Sequence, residues 1–138
     1  MPRHHVTLSH ESGKSLHALY ALLSDHSRLG PVLGVPVKRI RDGAPGVNDT
    51  GSVRRIGIGP LAIEETVTAC ETDRSIDYQL TGGGFPIRNH HGRLDFHRTD
   101  GGSRVDWYIE FDSALPGAGI LVAAVLKRAI ARGLKNIG

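Results

Sequence analysis

Eight histidines are the first residues to weigh for chemistry, and four of them form two doublets, His4 with His5 and His90 with His91. Adjacent residues of a strand point to opposite faces, so neither doublet can close on one ion. His91 and His97 share a face but stand six residues apart, too far for one site, so no metal is expected. Gly82, Gly83 and Gly84 look like a phosphate-cradling loop only at first sight, since neither a helix nor a lysine follows them. No cofactor is therefore expected. Cys70 is the lone cysteine; it cannot form an internal disulfide, and its place in a strand makes it an inert residue rather than a nucleophile. Four polar groups remain that strand parity turns inward: Arg54, Glu65, Tyr78 and His90. Together they offer a charge pair, a hydroxyl and an imidazole, enough to anchor a polar ligand group or to move a proton.

Parity assigns these residues to a face once a hairpin turn is taken to be even in length. With a turn centred on Gly59 and Pro60, Ile58 pairs with Leu61, Ile56 with Ile63 and Arg54 with Glu65, all on one face. The four apolar members make that face the inner one, which sets an opposite-charge cross-strand pair at the far end of an apolar surface. Such a pair is either an anchor inside a pocket, where burial is tolerated because the charges match, or a solvated pair at its rim. The sequence leaves both readings open. Tyr78 keeps step with Ile76 and Leu80, which offers its hydroxyl to the same interior.

A second hairpin turns among Asp100, Gly101 and Gly102. Its inner wall takes His90, Gly92, Leu94, Phe96, Val105, Trp107, Ile109 and Phe111. Centring the turn on Gly101 and Gly102 sets His97 opposite Asp106 and Arg93 opposite Glu110; centring it on Asp100 and Gly101 would oppose Asp95 with Asp106. Charge favours the glycine pair. His90 is then the one ionisable group of its strand on the inner wall, placed to bond either a ligand or the core.

The element that must hold these strands together is Gly117 to Asn136. Ile120, Leu121, Val122, Val125, Leu126, Ala129, Ile130 and Leu134 recur at helical spacing, and Lys127, Arg128, Arg132 and Lys135 crowd the second half, where cations suit the helix dipole. Its first half is apolar almost all round, so it needs a wide cover. Everything from residue 37 to residue 113 reads as short strands, which makes a curved antiparallel sheet the natural cover. The small residues Ala118, Gly119, Ala123, Ala124, Ala129 and Gly133 let that sheet come close, or leave room beside the helix. Ahead of these strands, His5 to His10 alternates as a strand, Lys14 to Leu23 carries a helical stripe, and residues 24–34 hold a second short helix ended by Gly30 and Pro31. Val37 to Arg41, Ser52 to Gly59, Leu61 to Cys70, Arg74 to Thr81, His90 to Thr99 and Ser103 to Ser113 are the six further strands. Phe85 and Ile87, after the glycine run, form the apolar tip of a lid.

A chain of 138 residues fits one domain over residues 1–138. The net charge of +3 is spread through strands that also carry Asp and Glu, and three Phe, three Tyr and one Trp are too few for a stacking surface, so nucleic acid is not an expected partner. The N-terminus lacks an apolar signal core and the apolar run at 120–126 is too short to span a bilayer, which points to a cytoplasmic protein without an integral membrane segment, a monomer or homodimer.

The stretches LYALLSDHSRLG, GSVRR, EETVTACETDRSIDYQL, SRVDWYIEF and LKRAIARGLKNI, in the order strand, two short helices, six strands and a long helix, resemble the helix-grip fold of the START-like superfamily. The likeness is strongest to its SRPBCC-type branch of polyketide cyclases, dehydratases and lipid-transport proteins. It implies an α+β chain in which about seven antiparallel strands wrap the last helix and keep a cavity beside it. It also implies a small hydrophobic ligand such as a lipid or polyketide. On that reading Arg54, Glu65, Tyr78, His90, Leu94, Trp107, Ile109, Val122, Val125 and Ala129 line the cavity. The protein is then a carrier of an apolar molecule, for which apolar walls with few polar anchors suffice. The alternative is a cyclase, aromatase or dehydratase working in the same cavity, for which the chain shows no nucleophile and base pair.

Overall fold

The computed structural model describes residues 3–84 and 86–138, so the expected lid residue Phe85 lies outside the described residues. Strand β1 (Arg3–Ser12) leads to helix α1 (Leu16–Ser24), which starts where the Ser15 hydroxyl accepts the Ala18 N–H at 3.1 Å, satisfying one of the donors that a helix start leaves free. A 3-10 turn at His26–Arg28 and the short helix α2 (Leu29–Leu33) follow; Gly30 and Pro31 lie in the first turn of α2, where proline is tolerated, and Gly34 at φ +76° ends it instead. Six strands come next: β2 (Val37–Arg41), β3 (Val53–Ile56), β4 (Ile63–Glu71), β5 (Ser75–Gly82), β6 (Ile87–Thr99) and β7 (Gly102–Ser113). Helix α3 (Ala118–Ile137) closes the chain. The strands form one antiparallel sheet in the order β1-β7-β6-β5-β4-β3-β2. Register shifts interrupt the β2–β3, β4–β5 and β6–β7 ladders; such bulges bend a strand and strengthen its twist, which coils the sheet toward the helix.

One face of the sheet is apolar by strict alternation. Along β7, Val105, Trp107, Ile109 and Phe111 are buried while Arg104, Asp106, Tyr108 and Glu110 look outward. Leu19, Tyr20 and Leu23 of α1, Leu29 and Val32 of α2, and Ile130 and Leu134 of α3 close over that face, with Tyr20 set edge-on to Phe96 at 5.0 Å between ring centroids. Each large side chain so buried contributes about 1.5–3 kcal/mol relative to leaving it in water. Helix α3 runs beside β1 and is tied at its end by the Ser12 hydroxyl, which donates to the Gly138 carbonyl. It crosses α2 so closely that a Cβ at Gly133 would fall 1.7 Å from the Val32 carbonyl oxygen, so this crossing needs glycine.

Three further expectations from the sequence need correction. The β6–β7 turn is centred on Asp100 and Gly101, so Asp95 does oppose Asp106, His97 faces Arg104 and Arg93 faces Tyr108. Backbone packing outweighed the cross-strand charge rule: Gly102 opens β7 at φ +154° against the Ser12 carbonyl, where a Cβ has no room, and each aspartate has an arginine of its own. Arg93 spans Asp77 and Asp95 at 2.7 and 3.0 Å, while Arg104 and His97 hold Asp106 at 3.2 and 3.1 Å.

The β3–β4 connection is the second. It is not a tight hairpin but runs from Gly57 to Ala62 through a 3-10 turn, which leaves Ile58 exposed instead of paired with Leu61. Its length is still even, which is why the pairs Ile56–Ile63 and Arg54–Glu65 are kept.

The third concerns α3. The helix is covered along one side only, through Gly119, Val122, Ala123, Leu126, Ile130, Gly133 and Leu134, and the other side of its first half is left open: Ile120, Leu121 and Val125 face solvent.

Candidate ligand-binding cavity

Between α3 and the strands β3 to β7 lies a cavity of about 290 Å³, lined among the described residues by sixteen drawn from α2 and the turn after it, the strands and α3. Leu33 and Val35 come from the end of α2 and the turn after it, Ile56 and Ile63 from β3 and β4, Leu80 and Ile87 from β5 and β6, and Val125, Leu126, Ala129 and Ile130 from α3. The polar groups are few and gathered among Arg54, Glu65, Tyr78, His90 and Trp107. Of the residues expected from the sequence, Arg54, Glu65, Tyr78, His90, Trp107, Ile109, Val125 and Ala129 are in this lining; Leu94 and Val122 are not. Leu94 sits between Ile76 and Trp107 in the sheet register and belongs to the solid core, and Val122 packs against that core from α3. Ile87 lines the cavity as the first residue of β6, paired with Ser113, rather than from a loop. Val125 and Val35 are the exposed members of the lining and mark its mouth.

The Arg54–Glu65 pair lies inside, not at the rim. Glu65 Oε1 accepts from both Arg54 Nε at 3.0 Å and Nη2 at 2.8 Å, and the two side chains are only 6% and 10% exposed. Glu65 Oε2 and Arg54 Nη1 have no hydrogen-bond partner among the described residues. The guanidinium carbon stands 4.8 Å from the centre of the Tyr78 ring, a cation–π geometry that also fixes the ring's face.

Tyr78 reaches across β6 to β7, and its oxygen accepts the Trp107 indole N–H at 2.9 Å. That reach depends on Gly92, the cross-strand partner of Tyr78: a Cβ there would fall 2.1 Å from Tyr78 Cζ. Burial, and then the charge of Glu65, push the Tyr78 hydroxyl well above its ordinary proton affinity, so it stays a neutral donor. The β5–β6 ladder stops at Tyr78 and Gly92, and beyond it the Leu80 N–H donates to His90 Nδ1 at 3.0 Å. A bulge at Asn89 and His90, with Asn89 at φ +51°, makes room for that swap of side chain for backbone. Burial lowers the proton affinity of His90. With Nδ1 accepting, the neutral ring carries its proton on Nε2 as a donor.

Behind Arg54, the fully buried His26 approaches the Ser52 hydroxyl at 3.2 Å through Nε2, and its Nδ1 has no partner among the described residues. Burial first, then the positive charges of Arg54 and Arg39, hold its pKa down to about 4. A group protonated more readily in the unfolded chain stabilises the fold above its unfolded pKa, and that stability is lost as pH falls toward the folded value. Denaturant unfolding should therefore show about 2 kcal/mol lost between pH 7 and pH 5 through this residue, and a His26→Gln variant that keeps the same slope would refute the assignment. Sequence reasoning missed His26 and the role of Gly92, because neither a short turn after α1 nor a glycine in a strand signals a neighbour from the far end of the chain.

A seven-stranded antiparallel sheet gripping a long C-terminal helix, with a cavity between them, is the helix-grip architecture of the START-like proteins. The chain belongs to the polyketide cyclase / dehydrase and lipid transport family, whose model matches residues 3–138. No curated protein matches it by sequence. Among solved structures it is similar to Ara h 8.0201, at 13% identity and a TM-score of 0.70 over 99% of this chain and 97% of that one. A protein from Thermobifida fusca solved by NMR is 20% identical, with a TM-score of 0.73 over 94% of this chain and 89% of that one. Norcoclaurine synthase from Thalictrum flavum, crystallised with dopamine and hydroxybenzaldehyde, is 13% identical, with a TM-score of 0.68 over 99% of this chain and 86% of that one. At these identities the likeness is one of fold. Among the described residues, no helix is long and apolar enough to cross a membrane.

Proposed function

We propose that the protein binds a compact apolar molecule in the cavity between α3 and the sheet, with a polar end of the ligand set against Arg54, Glu65 and Tyr78. The observation that carries this reading is the buried ion pair at the inner end of an apolar cavity, with one carboxylate oxygen and one guanidinium nitrogen unbonded among the described residues. A charge pair in a core is costly to desolvate and is matched or bettered in stability by apolar residues, so its presence where apolar walls converge favours a ligand-anchoring role. The volume of about 290 Å³ sits at the lower end of the roughly 300–1,000 Å³ range of ligand sites, which favours a two-ring or medium-chain molecule over a long lipid.

Trp107 is the one tryptophan of the chain and lines this cavity, so it reports occupancy without a label. Titration with medium-chain fatty acids, their methyl esters and small aromatic ketones should change its emission saturably for at least one member, and native mass spectrometry should show a one-to-one complex. Arg54→Gln should weaken any carboxylate ligand about tenfold while sparing its ester, as expected for loss of a charge-assisted bond. A flat titration across the whole panel, with unliganded protein in native spectra, would remove the binding reading.

A second reading is a cyclase or dehydratase. Four features favour it: the family, the unbonded Glu65 Oε2, the neutral Tyr78 hydroxyl and the neutral His90 Nε2–H. Together they set a base beside two donors for an oxyanion. Turnover of a poly-keto substrate by the wild type, lost in Glu65→Gln with binding retained, would establish it.

A further inference from the structure

The solvent side of α3 is divided along its length rather than around it. In its first half Ile120 is 71% exposed, Leu121 68% and Val125 58%. In its second half Lys127, Arg128, Arg132 and Lys135 are exposed. The helix, AGILVAAVLKRAIARGLKNI, holds no acidic residue, and among the described residues none of its four cations reaches a carboxylate, whereas arginines of β1, β3 and β7 do. A shallow groove over Leu121, Ala124, Val125, Arg128, Ala129 and Arg132 joins the two halves, and it shares Val125 and Ala129 with the lining of the cavity. On the far side of the mouth Val35 is exposed, and Ile58, two residues beyond the cavity residue Ile56, is 76% exposed.

Large apolar side chains left in water on a folded surface mark a face that something covers. The covering surface must be apolar where it meets Ile120, Leu121 and Val125 and negative where it meets the four cations. A bilayer with anionic headgroups has both properties within one layer, and apolar side chains with flanking basic residues are the composition that settles in its interface. A second copy of the chain supplies the apolar part but, by symmetry, presents the same cation-bearing helix without an acid. We propose that this face of α3 docks the protein on an anionic lipid surface with the cavity mouth turned toward the membrane.

The test is co-sedimentation of the purified chain with vesicles of phosphatidylcholine alone and of phosphatidylcholine mixed with phosphatidylglycerol. The protein should pellet with the mixed vesicles, stay in solution with the neutral ones, and be released by added salt, which screens exposed charges. Reversing Arg128 and Arg132 to Glu together should lower partitioning by at least about tenfold, and Ile120→Glu with Leu121→Glu should abolish it. Both pairs are exposed, so unchanged circular dichroism and Trp107 emission show that the variants fold. Titration of the cavity in the Ile120→Glu, Leu121→Glu protein separates the two proposals, since ligand binding there is expected to persist. Failure to pellet with anionic vesicles overturns the proposal, as does equal binding to neutral ones. A dimer in light scattering that the Ile120→Glu, Leu121→Glu pair dissolves would also overturn it, by showing that a second copy covers the face.

Discussion

Glu65→Gln is expected to cost the fold about 2–5 kcal/mol, because it leaves a buried guanidinium without its countercharge. Among the described ion pairs this one is the most deeply buried. One carboxylate oxygen takes both Arg54 donors, at 3.0 and 2.8 Å, with the side chains only 6% and 10% exposed, so water screens little of the loss. The same change would be nearly silent on the surface, where an exposed pair such as Arg55 with Glu64 at 3.0 Å contributes at most about 1 kcal/mol. Replacing both partners, Arg54→Met with Glu65→Leu, should recover most of the stability, since two apolar side chains need no counterion in an apolar wall. Denaturant unfolding of the four proteins gives the coupling energy directly. A coupling near zero would mean that the charges are solvated and the inner end of the cavity is open to water. Ligand binding should part company with stability here: the double variant regains the fold and loses discrimination between a fatty acid and its methyl ester. If stability and discrimination instead recover together, the pair is structural only.

The fold was legible because its signals are local and periodic. Val105, Trp107, Ile109 and Phe111 alternate without a break, and they are buried on the sheet's inner face. The Arg54–Glu65 register could be read because it needed only an even connection, and the six-residue link from Gly57 to Ala62 supplies that although it is no hairpin turn. What escaped was whatever depends on a choice between comparable local energies or on distant parts of the chain. Asp95 opposite Asp106 lost by charge and won by the fit of Gly102 against the Ser12 carbonyl, with Arg93 and Arg104 offsetting the cost from the sides. Leu33 and Val35 reach the cavity only because α2 leans on α3 at Gly133, a contact across one hundred residues of sequence. Nothing in the helix itself says that Ile120, Leu121 and Val125, on the outer side of its first half, stay uncovered. Helical periodicity shows which side chains share a face, and the length of the core decides how much of that face is used.

Gly92→Ala should be the most damaging of the smallest possible changes at the cavity, costing about 3 kcal/mol, the upper part of the range for overpacking a filled core. The added Cβ would lie 2.1 Å from Tyr78 Cζ and 2.5 Å from both Cε atoms. What it meets is therefore a ring face, not the tip of a flexible chain. The ring cannot simply tilt away, because Arg54 stands over it at 4.8 Å and its hydroxyl is bonded to the Trp107 indole at 2.9 Å. Expelling the ring breaks that bond and leaves a buried N–H unpaired, which carries a desolvation penalty of its own. Three readouts should move together: the unfolding midpoint falls, Trp107 emission changes position, and ligand titration through Trp107 weakens or vanishes. Adding Tyr78→Val to Gly92→Ala removes the colliding ring, so stability should partly return while the altered emission remains. Ligand affinity tests what the tyrosine does in function. If binding returns with stability, Tyr78 only fills space; if it stays lost, the hydroxyl is one of the ligand's own partners. A Gly92→Ala protein with unchanged midpoint and unchanged emission would mean that the ring does not cross β6 at all, and the inner end of the cavity would then lack the floor on which Arg54 rests.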